Sequence, residues 1–331
     1  MNVRVKPKFK FEKISKILGP LIALLVLALL LTIVTDQFFK ASNLLNILRQ
    51  ASINALVAFG MLFVLLTGGI DLSVGATIAS AGCVIGIAIK AGITNTFLLL
   101  LIGLLCGAII GLVNGLLFTK LDLPHPFVST LGTQLFIRGF CLYITGSASL
   151  SGFSKGVMFL GSESFLGFPI CFLLVIVVGI LSSLFLNKTA YGRYIYSIGG
   201  NREVARLSGI PVKPLLNLTY VLSGVLAALA GIVMIGRVSL AYPTAGEGYE
   251  MNAIAACVIG GASFNGGKGS VSGTLIGALI IAVLNNGLNL LGAQSDVQKM
   301  ILGLVVILAV LVDVVRGKQE LKARRLKKAV S

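Results

Sequence analysis

Charge is scarce in this sequence. Of 331 residues only 11% are Asp, Glu, Lys or Arg against 56% apolar, and the mean hydropathy is +1.01. That balance excludes a soluble globular domain. Histidine is scarcer still: His125 stands alone, hemmed in by Pro124 and Pro126 in a setting that suits a turn. With it go the Ser-His-Asp set and the HExxH pair, and no paired-carboxylate motif replaces them, so the residues of an enzyme are missing. The five cysteines, Cys83, Cys106, Cys141, Cys171 and Cys257, fall in or beside apolar runs without metal-ligand spacing and read as small buried hydrophobes. Alternation in segments of about ten residues is absent as well, which excludes a transmembrane β-barrel.

What fills the chain is uncharged apolar length. An apolar membrane core roughly 30 Å thick asks about 18 or more such residues of a helix. Several runs qualify: Ile17 to Thr35, Gln50 to Ile70, Leu72 to Ile89, Ala91 to Thr119, Ser164 to Asn187, Pro214 to Gly236 and Gly269 to Ser295. The expected fold class is all-α, a polytopic transmembrane helical bundle in a lipid bilayer. A net charge of +16 would point a soluble protein towards nucleic acid, but position gives it another meaning here. Six of the 27 Lys and Arg lie in residues 1–16, five between Lys188 and Lys213, and seven between Arg316 and Lys328. Basic clusters flanking spans are the positive-inside bias, with attraction to anionic lipid as a secondary expectation; no nucleic-acid partner is expected. The chain divides into a basic tail (1–16), a transmembrane domain (17–315) carrying a polar segment at 188–214, and a second basic tail (316–331). The Lys-rich start followed by Leu21 to Leu31 mimics a signal peptide, but without a small-x-small site before Thr35 it reads as an uncleaved first helix.

About ten spans then place both termini in the cytoplasm: 17–35, 50–67, 72–90, 96–119, 127–145, 165–187, 215–236, 251–265, 271–291 and 299–315. Ser42 to Gln50 is expected as an external connection, Gly146 to Ser164 as the longest external loop, and 188–214 falls inside. The span at 251–265 is short enough to be a half-helix lining a cavity. There is also an internal echo. Asn54-Ala55-Leu56, Gly68-Gly69 and Ser73-Val74-x-Gly75 correspond to Asn252-Ala253-Ile254, Gly260-Gly261 and Ser270-Val271-x-Gly273, and Asn114-Gly115-Leu116 to Asn286-Gly287-Leu288. Transporters are often built from two repeats; chance recurrence in glycine-rich spans gives the same pattern.

Gly103, Gly107, Gly111 and Gly115 form a ladder on one helix face, suited to close helix packing or to a dimer or pore-lining face. Gly261 to Gly269 looks superficially like a phosphate-binding loop. Ala262, however, stands where the first glycine belongs, and Gly269 where a hydroxyl would hold magnesium, so a tight turn is expected and no cofactor on this chain. Asp71 is the most informative acid. A charged side chain at bilayer mid-depth costs about 2.5–3.5 kcal/mol, so Asp71 either lines a solute path or sits at an interfacial turn and caps the next helix. For Arg138, pairing or snorkelling competes with contact to solute. Asn54, Asn114, Asn252, Asn285 and Asn286 make interhelical hydrogen bonds or touch solute. Within 188–214, Asn201 is a suitable N-cap with Glu203 near the dipole's positive end, and Gly209 before Pro211 stops the helix. A short helix bracketed by Gly199-Gly200 and Gly209 is an element a soluble motor can grip; the plain alternative is a solvated charged loop.

Tyr191-Gly192-Arg193, Ile198-Gly199-Gly200-Asn201 and Ala205-Arg206-Leu207-Ser208-Gly209-Ile210 resemble the cytoplasmic coupling segment of the ribose/xylose/galactoside-type ABC transporter permeases. The likeness extends along nearly the whole chain. It includes the runs from Gly68 to Gly75, Pro126 to Gly132 and Gly248 to Ala256, then Gly260-Gly261 and Gly266 to Gly269, while Val204 departs from the second alanine often found there. The resemblance implies the membrane subunit of a monosaccharide importer, ribose-like by default, in the bacterial inner membrane. It implies one half of a homodimeric channel rather than an enzyme. A separate ATPase subunit would carry ATP and magnesium, and an extracytoplasmic sugar-binding protein would deliver the solute. The coupling residues it marks are Gly192, Arg193, Gly200, Asn201, Ala205, Arg206 and Gly209. The candidate path residues are Asn54, Asp71, Ser73, Asn114, Phe127, Glu250 and Asn252. The rival reading is an ion-coupled secondary transporter, for which only Asp71 offers an ion site.

Overall fold

The computed structural model describes the backbone of residues 9–330 and the side chains of residues 18–315; the two basic tails fall outside the described side chains. Among the described residues there are thirteen helices and one two-stranded hairpin. The axis of the bundle is α2 (Ala41–Leu66), in which every residue from Ala51 to Leu66 is buried. A helix that is apolar on all sides has to be covered on all sides, and α7 (Ile170–Lys188), α10 (Val212–Val238), α11 (Tyr249–Ile259) and α12 (Val271–Leu290) cover it. Behind α10 lie α3 (Val74–Lys90) and α4 (Thr96–Lys120), with α5 (Phe127–Thr145) against α3. At the rim, α1 (Phe9–Val34) packs on α12 and α13 (Ser295–Val330) on α11. In the most apolar stretch of α2, 83% of residues are buried, against none in α13; apolar length thus serves a protein core in one helix and an exposed surface in the other.

Among the described residues seven helices are long and apolar enough to cross a membrane: α2, α4, α5, α7, α10, α12 and the Ser295–Val315 part of α13. Three apolar helices are shorter, Leu18–Val34, Val74–Lys90 and Tyr249–Ile259. The glycine ladder of α4 serves close packing. A Cβ at Gly107 would strike the Gly224 carbonyl of α10, one at Gly111 the Tyr220 carbonyl, and one at Gly224 the Gly107 carbonyl.

Two expected connections are corrected. Ser42 to Gln50, expected as a connection separate from the next span, is continuous with it as the first turns of α2. Its polar residues have partners there: Asn43 and Asn286 exchange amide hydrogen bonds of 3.0 and 2.7 Å, and Arg49 donates to the Ser164 hydroxyl at 3.2 Å. The Gly/Ser-rich stretch 146–164 contains α6 (Lys155–Ser162), which lies along α10 with Gly161 against the Val233 carbonyl and Gly236 against the Met158 carbonyl. Glycine here permits helix contact rather than a turn. A short hairpin, β1 (Ser164–Phe165) and β2 (Phe168–Pro169), leads into α7.

Candidate functional site

After α2 ends, Gly68 adopts φ +78°, a left-handed conformation open to glycine at no steric cost, and the chain folds back towards α3. In that turn Asp71 is fully buried. Its Oδ1 accepts from the Ser73 backbone N–H at 3.0 Å and the Ser73 hydroxyl at 2.7 Å, and its Oδ2 accepts from Ser223 of α10 at 2.8 Å. Asn114 of α4 donates to the Ser73 hydroxyl at 2.7 Å. A buried carboxylate needs such donors to offset its lost hydration. Asp71 thereby braces the start of α3 and ties it to two other helices. Two further buried polar atoms, Asn114 Oδ1 and Tyr220 Oη, have no protein partner, and the Tyr220 hydroxyl lies beside Gly69 of the same turn.

A second set of polar groups meets α3 one step further on. Beyond α10 the chain runs back along α3: Ala241 packs near Gly82, and Gly246 near Gly75 and Ile78. Irregular backbone within a bundle has to have its carbonyls satisfied, and Arg138 Nη1 donates to Pro243 O at 2.8 Å and Ala245 O at 2.6 Å. Arg138 is therefore paired, with backbone. From this returning segment α11 starts; its 11 residues span about 16 Å, about half a membrane, as the short span foretold. Glu250, in the first turn of α11, is 8% exposed. Gln134 donates to its Oε1 at 3.4 Å, and its Oε2 rests against Gly75.

Asp71, Ser73 and Asn114 are thus joined directly, and Glu250 reaches the same end of α3. The other expected path residues stand apart. Asn54 is buried in α2 with Oδ1 unpartnered, Asn252 is half-buried in α11, and Phe127 is 45% exposed at the start of α5, where its N–H donates to His125 Nδ1. A groove of about 520 Å³ between α4 and α5, walled by Ile109, Val113, Val128 and Phe136, is apolar and includes none of these groups.

The polar segment 188–214 folds into two helices, α8 (Ala190–Gly200) and α9 (Arg202–Leu207), one more than expected. Asn201 caps α9 as predicted, accepting from the Glu203 and Val204 N–H groups at 3.0 Å each, and Gly209 ends it at φ +79°. Gly200 closes α8 rather than standing free, Gly192 is buried against the Leu186 carbonyl, and Ala205 is buried, while Arg193 is exposed. Arg206 pairs with Glu203 at 2.6 Å; the guanidinium holds the carboxyl below its usual range and is itself raised. Lys213 pairs with Asp122 at 2.7 Å and lowers that carboxyl likewise. Arg202 stacks over the Phe118 ring, 5.1 Å from its centroid. The C-terminal end of α8 abuts the buried layer's own supports. Gly199 lies against Leu66 and Gly267, Gly267 N–H donates to the Leu66 carbonyl at 2.9 Å, Tyr196 Oη donates to Gly269 O at 2.9 Å, and Gly266 lies beside Gly68. The glycine-rich run 261–269 is the turn between α11 and α12.

Residues 43–310 match a family model described as branched-chain amino acid transport system / permease component. The chain belongs to this permease family. It is 43% identical over 308 residues to the ribose import permease protein of Bacillus subtilis (strain 168), covering 92% of this chain and 95% of that one. With the ribose import permease protein of Escherichia coli (strain K12) it shares 44% over 297 residues, 88% and 92% of the two chains. With the D-allose transport system permease protein of the same strain it shares 37% over 289 residues, 87% and 88%. No solved structure matches. The permease is a multi-pass membrane protein, and three of the polar side chains that shape its interior were not singled out in the sequence. Ser223 sits in an otherwise apolar run and Tyr220 one turn before it, without a motif; Gln134 carried a signal, standing one turn before Arg138 on α5.

Proposed function

We propose that this permease is the membrane subunit of an ABC importer in the bacterial inner membrane that carries a monosaccharide, ribose-like by default. The observation that carries the reading is its likeness to ribose import permeases over about nine-tenths of both chains. ATP is hydrolysed on a separate ATPase subunit that docks on 188–214, an extracytoplasmic binding protein delivers the sugar, and two copies of this chain enclose the path. Ten crossings with both termini cytoplasmic are reached from the seven long helices, the apolar part of α1, α3, and α11 taken together with the returning segment before it, since α11 alone is half-length. The coupling residues are Gly192, Arg193, Gly200, Asn201, Ala205, Arg206 and Gly209. Exposed Val204 and Leu207 on α9 give a docking ATPase apolar surface, and the contacts of α8 with the C-terminal end of α2 and the α11–α12 turn give its motion a route to Asp71. Binding at one end then biases two channel conformations. The path residues are Asn54, Asp71, Ser73, Asn114, Phe127, Glu250 and Asn252.

The test is D-ribose uptake into liposomes holding the permease with its ATPase and binding protein. ATP-dependent uptake that survives an ionophore is expected. Uptake that needs no ATP or ATPase and collapses with the ionophore establishes the ion-coupled alternative instead.

A further inference from the structure

The buried network leaves two charged groups incompletely used. Glu250 Oε2 and Arg138 Nη2 are both buried without a protein hydrogen-bond partner, and both side chains are fixed by their other atoms. Gln134 holds Glu250 Oε1, and the carbonyls of Pro243 and Ala245 hold Arg138 Nη1. The two residues border one small region, where the returning segment 243–250, the first turn of α3 and the middle of α5 meet; Glu250 Oε2 lies on Gly75, and Gln134 and Arg138 share one face of α5 a turn apart. An unsatisfied buried charged atom carries a substantial desolvation penalty, so a built site with one free acceptor and one free donor calls for a ligand that supplies both.

We infer that Glu250, Arg138 and Gln134 form a subsite for two hydroxyls of the transported monosaccharide: one hydroxyl donates to Glu250 Oε2 and another accepts from Arg138 Nη2. The inference rests on the importer reading above and adds the residues that hold the sugar. Gly75 makes room for the Glu250 carboxylate, because any side chain there would occupy the space of Oε2. Nη1 is committed to backbone, and Nη2 is left to donate to a hydroxyl. Arg138 thus has two tasks, bracing the returning backbone with one nitrogen and presenting the other. The start of α11 adds its helix dipole beside the carboxylate.

The experiment uses the full complex in liposomes and measures uptake of D-ribose, 2-deoxy-D-ribose and 3-deoxy-D-ribose at saturation of the binding protein, for wild type, Glu250→Gln and Gln134→Met. Glu250→Gln keeps the side-chain shape, and Gln134→Met covers the case in which the first variant does not accumulate. D-ribose uptake is expected to fall about tenfold or more in Glu250→Gln, as for loss of a charged hydrogen bond, and less in Gln134→Met, while binding-protein-stimulated ATP hydrolysis changes less than twofold. The deoxy sugar that lacks the engaged hydroxyl loses uptake on wild type and loses little more on either variant. Losses that multiply for both deoxy sugars, wild-type uptake in both variants, or competition by leucine overturn the subsite while leaving the importer intact. A wild-type complex without ATP-dependent D-ribose uptake overturns both readings.

Discussion

Removing the carboxylate of Asp71 tests the buried layer most sharply, because the three donors that face it differ in what they do when it is gone. In Asp71→Ala the Ser73 and Ser223 hydroxyls rotate towards other acceptors, but the backbone N–H of Ser73, which donates to Oδ1 at 3.0 Å, is left buried and unsatisfied. One such orphan costs about 1–3 kcal/mol. The lost α10 contact from Ser223 to Oδ2 adds about 0.6 kcal/mol, up to about 1.7, the range for interhelical hydrogen bonds in membrane proteins. Asp71→Ala therefore destabilises by about 2–4 kcal/mol, and Ser223→Ala, which leaves Oδ2 buried without its donor, by about 1–3 kcal/mol. Asp71→Asn is the decisive control. Its Oδ1 keeps both Ser73 bonds, and its Nδ2 donates to the Ser223 oxygen with the hydroxyl reversed, so its stability stays within about 1 kcal/mol of wild type. Apparent melting of the detergent-solubilised permease, followed by monodispersity after heating, gives the order. If Asp71→Asn melts as early as Asp71→Ala, it is the charge and not the hydrogen-bond geometry that organises the turn, and the argument fails.

Gly107→Leu places a side chain into the Gly224 carbonyl and is expected to abolish accumulation of folded permease, whereas Gly19→Ala, with nothing within 4 Å, accumulates normally; western blots of membranes compare them. Arg206→Glu reverses the exposed pair with Glu203 and is expected to uncouple ATP hydrolysis from uptake while the protein remains inserted, and Gly209→Pro to do the same because proline cannot adopt φ +79°; normal uptake in both counts against the coupling role. Asp122 is held below its usual range by Lys213, so the pair stabilises the fold above the unfolded carboxyl value of about 4 and that contribution is lost as pH falls through the lower folded value. Melting followed downward from pH 5 is accordingly expected to fall less steeply in Asp122→Asn than in wild type, and 1 M salt to shrink the neutral-pH difference between them.

Much of this permease is written locally, and the sequence by itself determined those parts. Continuous apolar runs specify membrane helices because lipid demands length and internal backbone bonding, and the short helix between Asn201 and Gly209 follows from cap chemistry that needs no distant partner. Resemblance carried by ordered motifs reached the family. Tertiary structure decided what depends on neighbours. Hydropathy alone does not separate α2, buried on every side, from α13, buried on none in its most apolar stretch, since protein and lipid are equally apolar surroundings. The polar start of α2 reads as a connection between spans until Asn286 and Ser164 arrive from far along the chain. Asp71 is an ambiguous acid in the sequence and becomes the brace of α3 only when α10 brings Ser223 to it. Arg138 finds its acceptors more than 100 positions away on a segment with no regular structure of its own, a pairing that no periodicity encodes.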